Sequence, residues 1–281
     1  MTLFDAARQI GGQFKLARRI PGKEAFFETL RYFGQRIERT NVKLRLNTRI
    51  AAVDLVAQKF GEFILATGVT PRNPRIPGQD LPKVLSYIDV LLSRQSVRQH
   101  VALIDAGGIG FDVAEFLVTQ AGHSTALHLP AWLAEWGVAD PGEVRGGVVR
   151  PHITPPARQV MLLQRKPGKL GAGLGKTTGW IHRAALKMKN VEMMSGVTYE
   201  RIDDQGSGAG LFITHGAKRE NGTVLEVDNI VLCAGQEPLR ELLEPLRTAG
   251  MKTHLIGGAD EAGELDAKRA IDQGTRLAAS L

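Results

Sequence analysis

The sequence predicts an α/β fold in which one doubly wound, mostly parallel-sheet domain is inserted within another of the same kind. Three observations predict it. A short strand, Thr2-Leu3-Phe4, ends in the carboxylate Asp5 and runs at once into Ile10-Gly11-Gly12-Gln13. A second strand, His100 to Ile104, enters the glycine turn Gly107-Gly108-Ile109-Gly110 and then a helical pattern to about Gln120. Further apolar strands close on glycine at Thr67-Gly68, Ala234-Gly235 and Gly257-Gly258-Ala259-Asp260. Strands that alternate with helices and end in glycine are the pattern of Rossmann-like dinucleotide-binding domains, whose ligands lie at the carboxyl ends of parallel strands.

The remaining elements follow in order. Phe26, Phe27, Leu30, Phe33 and Ile37 recur at helical spacing within residues 23–39. Val42 to Leu46 alternates as a half-buried strand, and Phe60 to Ala66 is an apolar one. Pro71, Pro74, Pro77 and Pro82 make a stiff connector. A boundary is expected near residues 93–99, giving a first domain over 1–97, an inserted one over 98–235 and a returning part over 236–281. Residues 122–157 carry Trp132, Trp136 and five prolines and read as an irregular insertion. A strand from Gln159 to Gln164 precedes a helix from about Thr177 to Lys189. Val197 to Ile202, Gly210 to Thr214 and Thr223 to Val227 read as an antiparallel meander ahead of the strand Ile230 to Ala234. Thr253 to Ile256 and a helix from about Leu265 to Ser280 end the chain.

Composition narrows the function. At 281 residues the chain has length for two domains, and 43% hydrophobic with 23% charged residues are ordinary globular values. No apolar run approaches a membrane span and the N-terminus lacks signal-peptide features, so a cytoplasmic location with no membrane partner is expected. The formal charge of +7 is spread along the chain and aromatics are only 6%, so an anionic small-molecule cofactor accounts for the excess as well as nucleic acid does, and no nucleic-acid partner is expected. The single cysteine, Cys233, excludes an internal disulfide and a four-cysteine cluster built from this chain, and its apolar strand reads as a buried thiol. Seven histidines show no metal-ligand spacing; His182 reads as structural.

The glycine turn after Ile104 aims backbone N–H groups and a helix dipole at a pyrophosphate. It reads Asp105-Ala106-Gly107-Gly108-Ile109-Gly110, so an aspartate holds the place of the first glycine. A carboxylate there repels phosphate, and the alternative is a loop that keeps only the fold. The next strand ends in Arg165-Lys166 where an NAD site ends in Asp or Glu, which suits the 2′-phosphate of NADP; the alternative is a solvated basic strand end. Gly171 to Thr178 resembles a P-loop but has Leu170 where the first glycine belongs. Asp5 stands where a Rossmann unit places its ribose carboxylate, about 20 residues after a glycine loop. Only four residues precede it, so the first strand, glycine loop and helix of that unit are expected to lie outside this chain. Asp260 is placed to meet ligand hydroxyls or to cap the last helix.

Over essentially its whole length the chain resembles the C-terminal half of the bacterial NADPH-dependent 2,4-dienoyl-CoA reductases, which are old-yellow-enzyme-like iron-sulfur flavoproteins. The resemblance is carried by Leu3 to Ala7 with Ile10 to Phe14, Ile20-Pro21-Gly22-Lys23-Glu24, Gly107 to Asp112, Gly173 to Arg183, and Cys233 to Pro238. It implies a disulfide-reductase-type pair of domains, an NADP domain inserted in an FAD domain. It also implies an upstream barrel with FMN, a 4Fe-4S cluster and the acyl-CoA site, serving β-oxidation of unsaturated acyl-CoA. By position, Asp5 is implied as the FAD ribose ligand, with Gly11, Gly12 and Gln13 as its next contacts. Thr67, Gly68 and Asp260, with Gly235 and Gly258 at their strand ends, are implied on the flavin side. Gly107, Gly108, Ile109 and Gly110 would hold the NADPH pyrophosphate, and Arg165 and Lys166 its 2′-phosphate. No catalytic or metal residue is implied within this chain. Two alternatives stand beside the electron-input role: a fragment that needs a separate N-terminal chain, and a related flavin oxidoreductase with another final substrate.

Overall fold

The computed structural model describes residues 1–206, 209–263 and 265–281. In chain order the elements open with β1 (Thr2–Phe4), α1 (Phe14–Ala17), α2 (Phe26–Arg39), β2 (Lys43–Arg45), α3 (Ala52–Ala57), β3 (Glu62–Leu65) and β4 (Val69–Pro71). They continue with β5 (Val84–Ser86), α4 (Tyr87–Leu91), β6 (His100–Ile104), α5 (Gly108–Val118), α6 (Leu129–Trp136), β7 (Gln159–Gln164), α7 (Gly179–Met188) and β8 (Glu192–Ser195). The last are β9 (Val197–Asp203), β10 (Gly210–His215), β11 (Glu220–Leu225), β12 (Asn229–Leu232), β13 (Gln236–Pro238), α8 (Leu243–Thr248), β14 (Lys252–Leu255) and α9 (Ala267–Ser280). The chain divides into two units, one of Met1–Gly12, Glu28–Asn73 and Gly235–Leu281, the other of Gln13–Phe27 and Pro74–Ala234.

The second unit is built on a five-stranded parallel sheet in the order β5-β12-β6-β7-β8. Its strands are apolar on both faces because both are covered. Val101, Leu103, Leu162 and Val231 pack with Phe111, Val113, Leu117 and Leu186 of α5 and α7. The alternate residues Ala102, Ile104, Leu163 and Ile230 pack with Ile202, Leu211, Ile213 and Leu225 of the β9-β10-β11 meander. The division at 73/74 differs from the expected 97/98 because Val84, Leu85 and Ser86 pair in parallel with Ile230, Val231 and Leu232. A short edge strand inside a proline-rich segment has no local signature; its partner lies far along the chain. The insertion at 122–157 also departs from expectation, for it contains α6, capped by Nδ1 of His128 and closed by Gly137 at φ +68. Strand β8 is likewise additional to the expected elements.

The first unit holds two separate parallel pairs, β1-β2 and β3-β14, and an antiparallel pair, β4-β13. Its core is small: Leu55, Phe63, Leu65, Leu243 and Leu246, with Phe4 and Phe60 against them. Phe4 meets the Phe60 ring edge-on at 6.4 Å, so β1 and the approach to β3 share that core. Helices α2 and α9 carry apolar residues at helical spacing yet bury none of them; Phe27 is 51% and Ile271 50% exposed. The chain exposes 17048 Å² in all.

Candidate functional site

Parallel pairing decides what meets at the carboxyl edge of the second unit's sheet. Ile104 stands opposite Leu163, so the turn after β6 and the basic pair after β7 leave adjacent strands side by side. That edge is where open α/β sheets place ligands. The three positions of the glycine turn separate by role. Asp105 has φ +82, a backbone that favours glycine at the first position. Gly107 is extended and has open space where a side chain would stand, so backbone is bare toward a ligand. At Gly110 an added Cβ would lie 2.1 Å from the Asp105 carbonyl oxygen and 3.3 Å from Leu162 Cδ1, which is why α5 can sit so close to the sheet. The first turn of α5 carries no acidic residue, leaving its N–H groups and dipole to an anion.

Arg165 and Lys166 are exposed and form no ion pair among the described residues. Cations with no internal partner beside a bare glycine turn are the donor set a 2′-phosphate needs. These residues fit a nicotinamide dinucleotide phosphate. A half-buried tyrosine and a buried thiol lie behind the turn. The Asp105 N–H donates to the Tyr199 hydroxyl at 3.3 Å, and burial, above all, raises the Tyr199 pKa. Cys233, 2% exposed, has its thiol pKa pushed up by burial and then by Asp105 and Asp112, which disfavours the thiolate.

The glycine-rich stretch from Gly171 has a packing role at its start. A Cβ at Gly171, φ +66, would strike the Phe111 ring at 2.7 Å, and the Gly171 carbonyl accepts from Arg183. The stretches that carried the resemblance therefore meet on α5 and α7: Lys23 pairs with Asp112 at 2.6 Å and His182 with Glu115 at 3.5 Å. The Glu115 hydrogen bond is the chief cause that raises the His182 pKa, while burial opposes it. Among the described residues no three His, Cys, Asp or Glu converge as a metal site.

In the first unit Asp5 ends β1, and its Oδ1 accepts the Ala7 N–H at 2.8 Å. Gly11 and Gly12 take φ +122 and +44, and a Cβ on Gly11 would strike Leu30. Gln13 falls in the second unit, where its carbonyl accepts from Leu16 and Ala17. Parallel pairing of β3 with β14 brings Thr67-Gly68 and Gly258 together; a Cβ on Gly258 would stand 3.2 Å from the Gly68 carbonyl carbon. The Gly235 carbonyl accepts from the Arg72 N–H. Asp260 does not cap the last helix: its carboxylate accepts from Gln273 Nε2, and the cap of α9 is Asp266. Helix α9 begins past the point where Asp260 could reach its first N–H groups. The first unit therefore offers a carboxylate at a strand end and bare glycines at two others, which fits part of an FAD site. A phosphate turn that opens directly into a long helix, as Gly107–Gly110 does, is not among its described residues.

The family model described as pyridine nucleotide-disulphide oxidoreductase matches residues 16–266. The chain belongs to that family. Members bind FAD and a nicotinamide nucleotide, so the chain is an electron-transfer portion of a flavin-dependent oxidoreductase. It is similar to a metal reductase of Desulforamulus reducens, 23% identical over 263 residues that make 92% of this chain and 37% of that protein. It is also similar to a solved 2-naphthoyl-CoA reductase in complex with 2-naphthoyl-CoA, with TM-score 0.76 and 23% identity over 99% of this chain and 35% of that one. A T. acidophilum thioredoxin reductase matches at TM-score 0.61 and 14% identity, covering 100% of this chain and 88% of that one. The fold is thus the disulfide-reductase-type α/β fold expected from sequence. The chain spans about a third of the length of the metal reductase and of the naphthoyl-CoA reductase. Among the described residues no helix is long and apolar enough to cross a membrane.

Proposed function

We propose that this chain takes electrons from NADPH and passes them to FAD within a 2,4-dienoyl-CoA reductase-like enzyme. One observation carries the nucleotide choice: Arg165 and Lys166 end the strand beside the glycine turn, where an NAD-selective site places a carboxylate. Gly107, Gly108, Ile109 and Gly110 would receive the pyrophosphate on their N–H groups. Asp5 would hold the FAD ribose, Gly11, Gly12 and Gln13 its neighbouring groups, and Thr67, Gly68, Gly235, Gly258 and Asp260 the flavin side. When bound, the nicotinamide supplies a hydride and the flavin accepts it; the protein supplies orientation and electrostatics. The acyl-CoA named with the naphthoyl-CoA reductase supports an acyl-CoA as the final substrate; FMN and a 4Fe-4S cluster would be held in a barrel outside this chain. Likeness to a metal reductase favours a second reading, the same input module with another terminal acceptor.

Replacing Arg165 and Lys166 together by alanine is expected to raise the Kd for NADPH roughly 30-fold, since hydrogen bonds to charged groups contribute about 1.5–3 kcal/mol each before solvent screening. The Kd for NADH should change less than about twofold. Equal losses for both nucleotides, measured by fluorescence titration, would remove the NADP assignment.

The two strand pairs of the first unit support a further point. In the strand order 3-2-1-4-5, β2 and β1 fill the places 3 and 2, and β3 and β14 fill 4 and 5, so one parallel strand between β1 and β3 would join them. That strand, with its own glycine turn and a helix to cover exposed apolar faces, would come from a segment outside this chain. FAD uptake, read from flavin absorbance after desalting, is expected to be weak for the chain alone and stoichiometric once such a segment is supplied; stoichiometric uptake by the chain alone would refute this.

A further inference from the structure

We propose that Tyr199 is a positioning residue, delivered by a β-bulge, that holds the glycine turn in its phosphate-binding shape. This rests on the nucleotide site proposed above. Along the β9-β10 ladder Phe212 stands opposite Arg201 but Ile213 stands opposite Tyr199, so Glu200 is an extra residue. Side chains of a strand alternate faces, and one extra residue shifts that alternation. Val197, Tyr199 and Ile202 consequently all join the core cluster on the sheet's meander face, which an unbroken strand would forbid. The bulge is pinned: the buried Thr214 hydroxyl donates to Glu200 Oε1 at 2.6 Å.

What the bulge aims is the Tyr199 oxygen, which accepts the Asp105 N–H at 3.3 Å. The strand ladder stops one residue earlier, where the Ile104 carbonyl takes the Cys233 N–H. Asp105 itself holds φ +82, a conformation that a residue with a side chain keeps only under restraint from its surroundings. Its carbonyl oxygen is also the atom against which Gly110 packs, so a rotation at residue 105 would displace the start of α5. A tyrosine is suited to this restraint. It fills the core with its ring, and its neutral hydroxyl can accept a backbone N–H while keeping its own proton.

The test is a cycle in the full chain of wild type, Tyr199→Phe, Asp105→Gly and the double variant, titrated with NADP+ by calorimetry. Phenylalanine keeps the ring, so the melting temperature should change little. Tyr199→Phe is expected to weaken NADP+ binding about tenfold when Asp105 is present. In the Asp105→Gly background the loss should fall below about twofold, because glycine holds φ +82 without help. Amide exchange at Asp105 should quicken in Tyr199→Phe. Equal losses in both backgrounds, or no loss in either, would overturn the positioning role. If wild type and Asp105→Gly both bind no NADP+, the nucleotide-site reading fails, and unchanged exchange at Asp105 in Tyr199→Phe would separately refute the restraint.

Discussion

Asp105→Gly is expected to tighten NADP+ binding by roughly 10- to 30-fold and to raise stability by about 1 kcal/mol. Two effects add. The residue sits at φ +82, where glycine carries no steric penalty and a side chain does, so relief of strain favours the folded state. Its carboxylate also stands at the turn that would receive a pyrophosphate. Two like charges about 4 Å apart repel by about 4 kcal/mol at an effective dielectric near 20, and water at this half-buried position reduces that considerably. Asp105→Asn separates the two effects, because asparagine keeps a side chain of the same size, with similar tolerance of positive φ, and carries no charge. Charge dominates if Asn matches Gly in calorimetric titration; backbone strain dominates if Asn matches the wild type. An affinity unchanged in both variants would mean that the turn does not meet phosphate.

Gly110→Ala should have the opposite outcome, a loss of about 3 kcal/mol of stability and of measurable nucleotide binding. The added methyl would stand 2.1 Å from the Asp105 carbonyl oxygen, a backbone atom that cannot rotate aside, with Leu162 Cδ1 at 3.3 Å behind it. Helix α5 must then lift from the sheet, and it carries Val113, Ala114 and Leu117, all fully buried. Close-packed interiors accommodate such shifts poorly. Gly107→Ala supplies the contrast. Its methyl meets nothing within 4 Å and its backbone is extended, so urea unfolding should scarcely change while affinity falls, because the methyl stands in the ligand's approach. If Gly110→Ala melts with wild-type stability, the close approach of α5 to the turn is wrong.

Strand, turn and helix at residues 100–118 were legible because the signals are local: an apolar run, bare glycines and helical periodicity lie next to each other along the chain. The basic pair was legible for the same reason, since Arg165-Lys166 directly ends a strand. The bulge also has a local signal. In Val197-Thr198-Tyr199-Glu200-Arg201-Ile202 the core positions slip from odd to even numbers, the mark of a bulge. Other features had no local signal at all. Val84–Ser86 is an edge strand through its pairing with β12, and the Asp260 carboxylate meets Gln273 through the placement of α9.

By itself, the sequence determined the main strand-turn-helix units, the glycine turn with its aspartate, and the two cations at the end of the next strand, because each is set by residues close together in the chain. Only the tertiary structure decided where the two units divide, which glycines serve packing, and that Tyr199 reaches the Asp105 amide 94 residues away. Such contacts depend on how distant strands align in a sheet, and no short stretch of sequence carries that alignment.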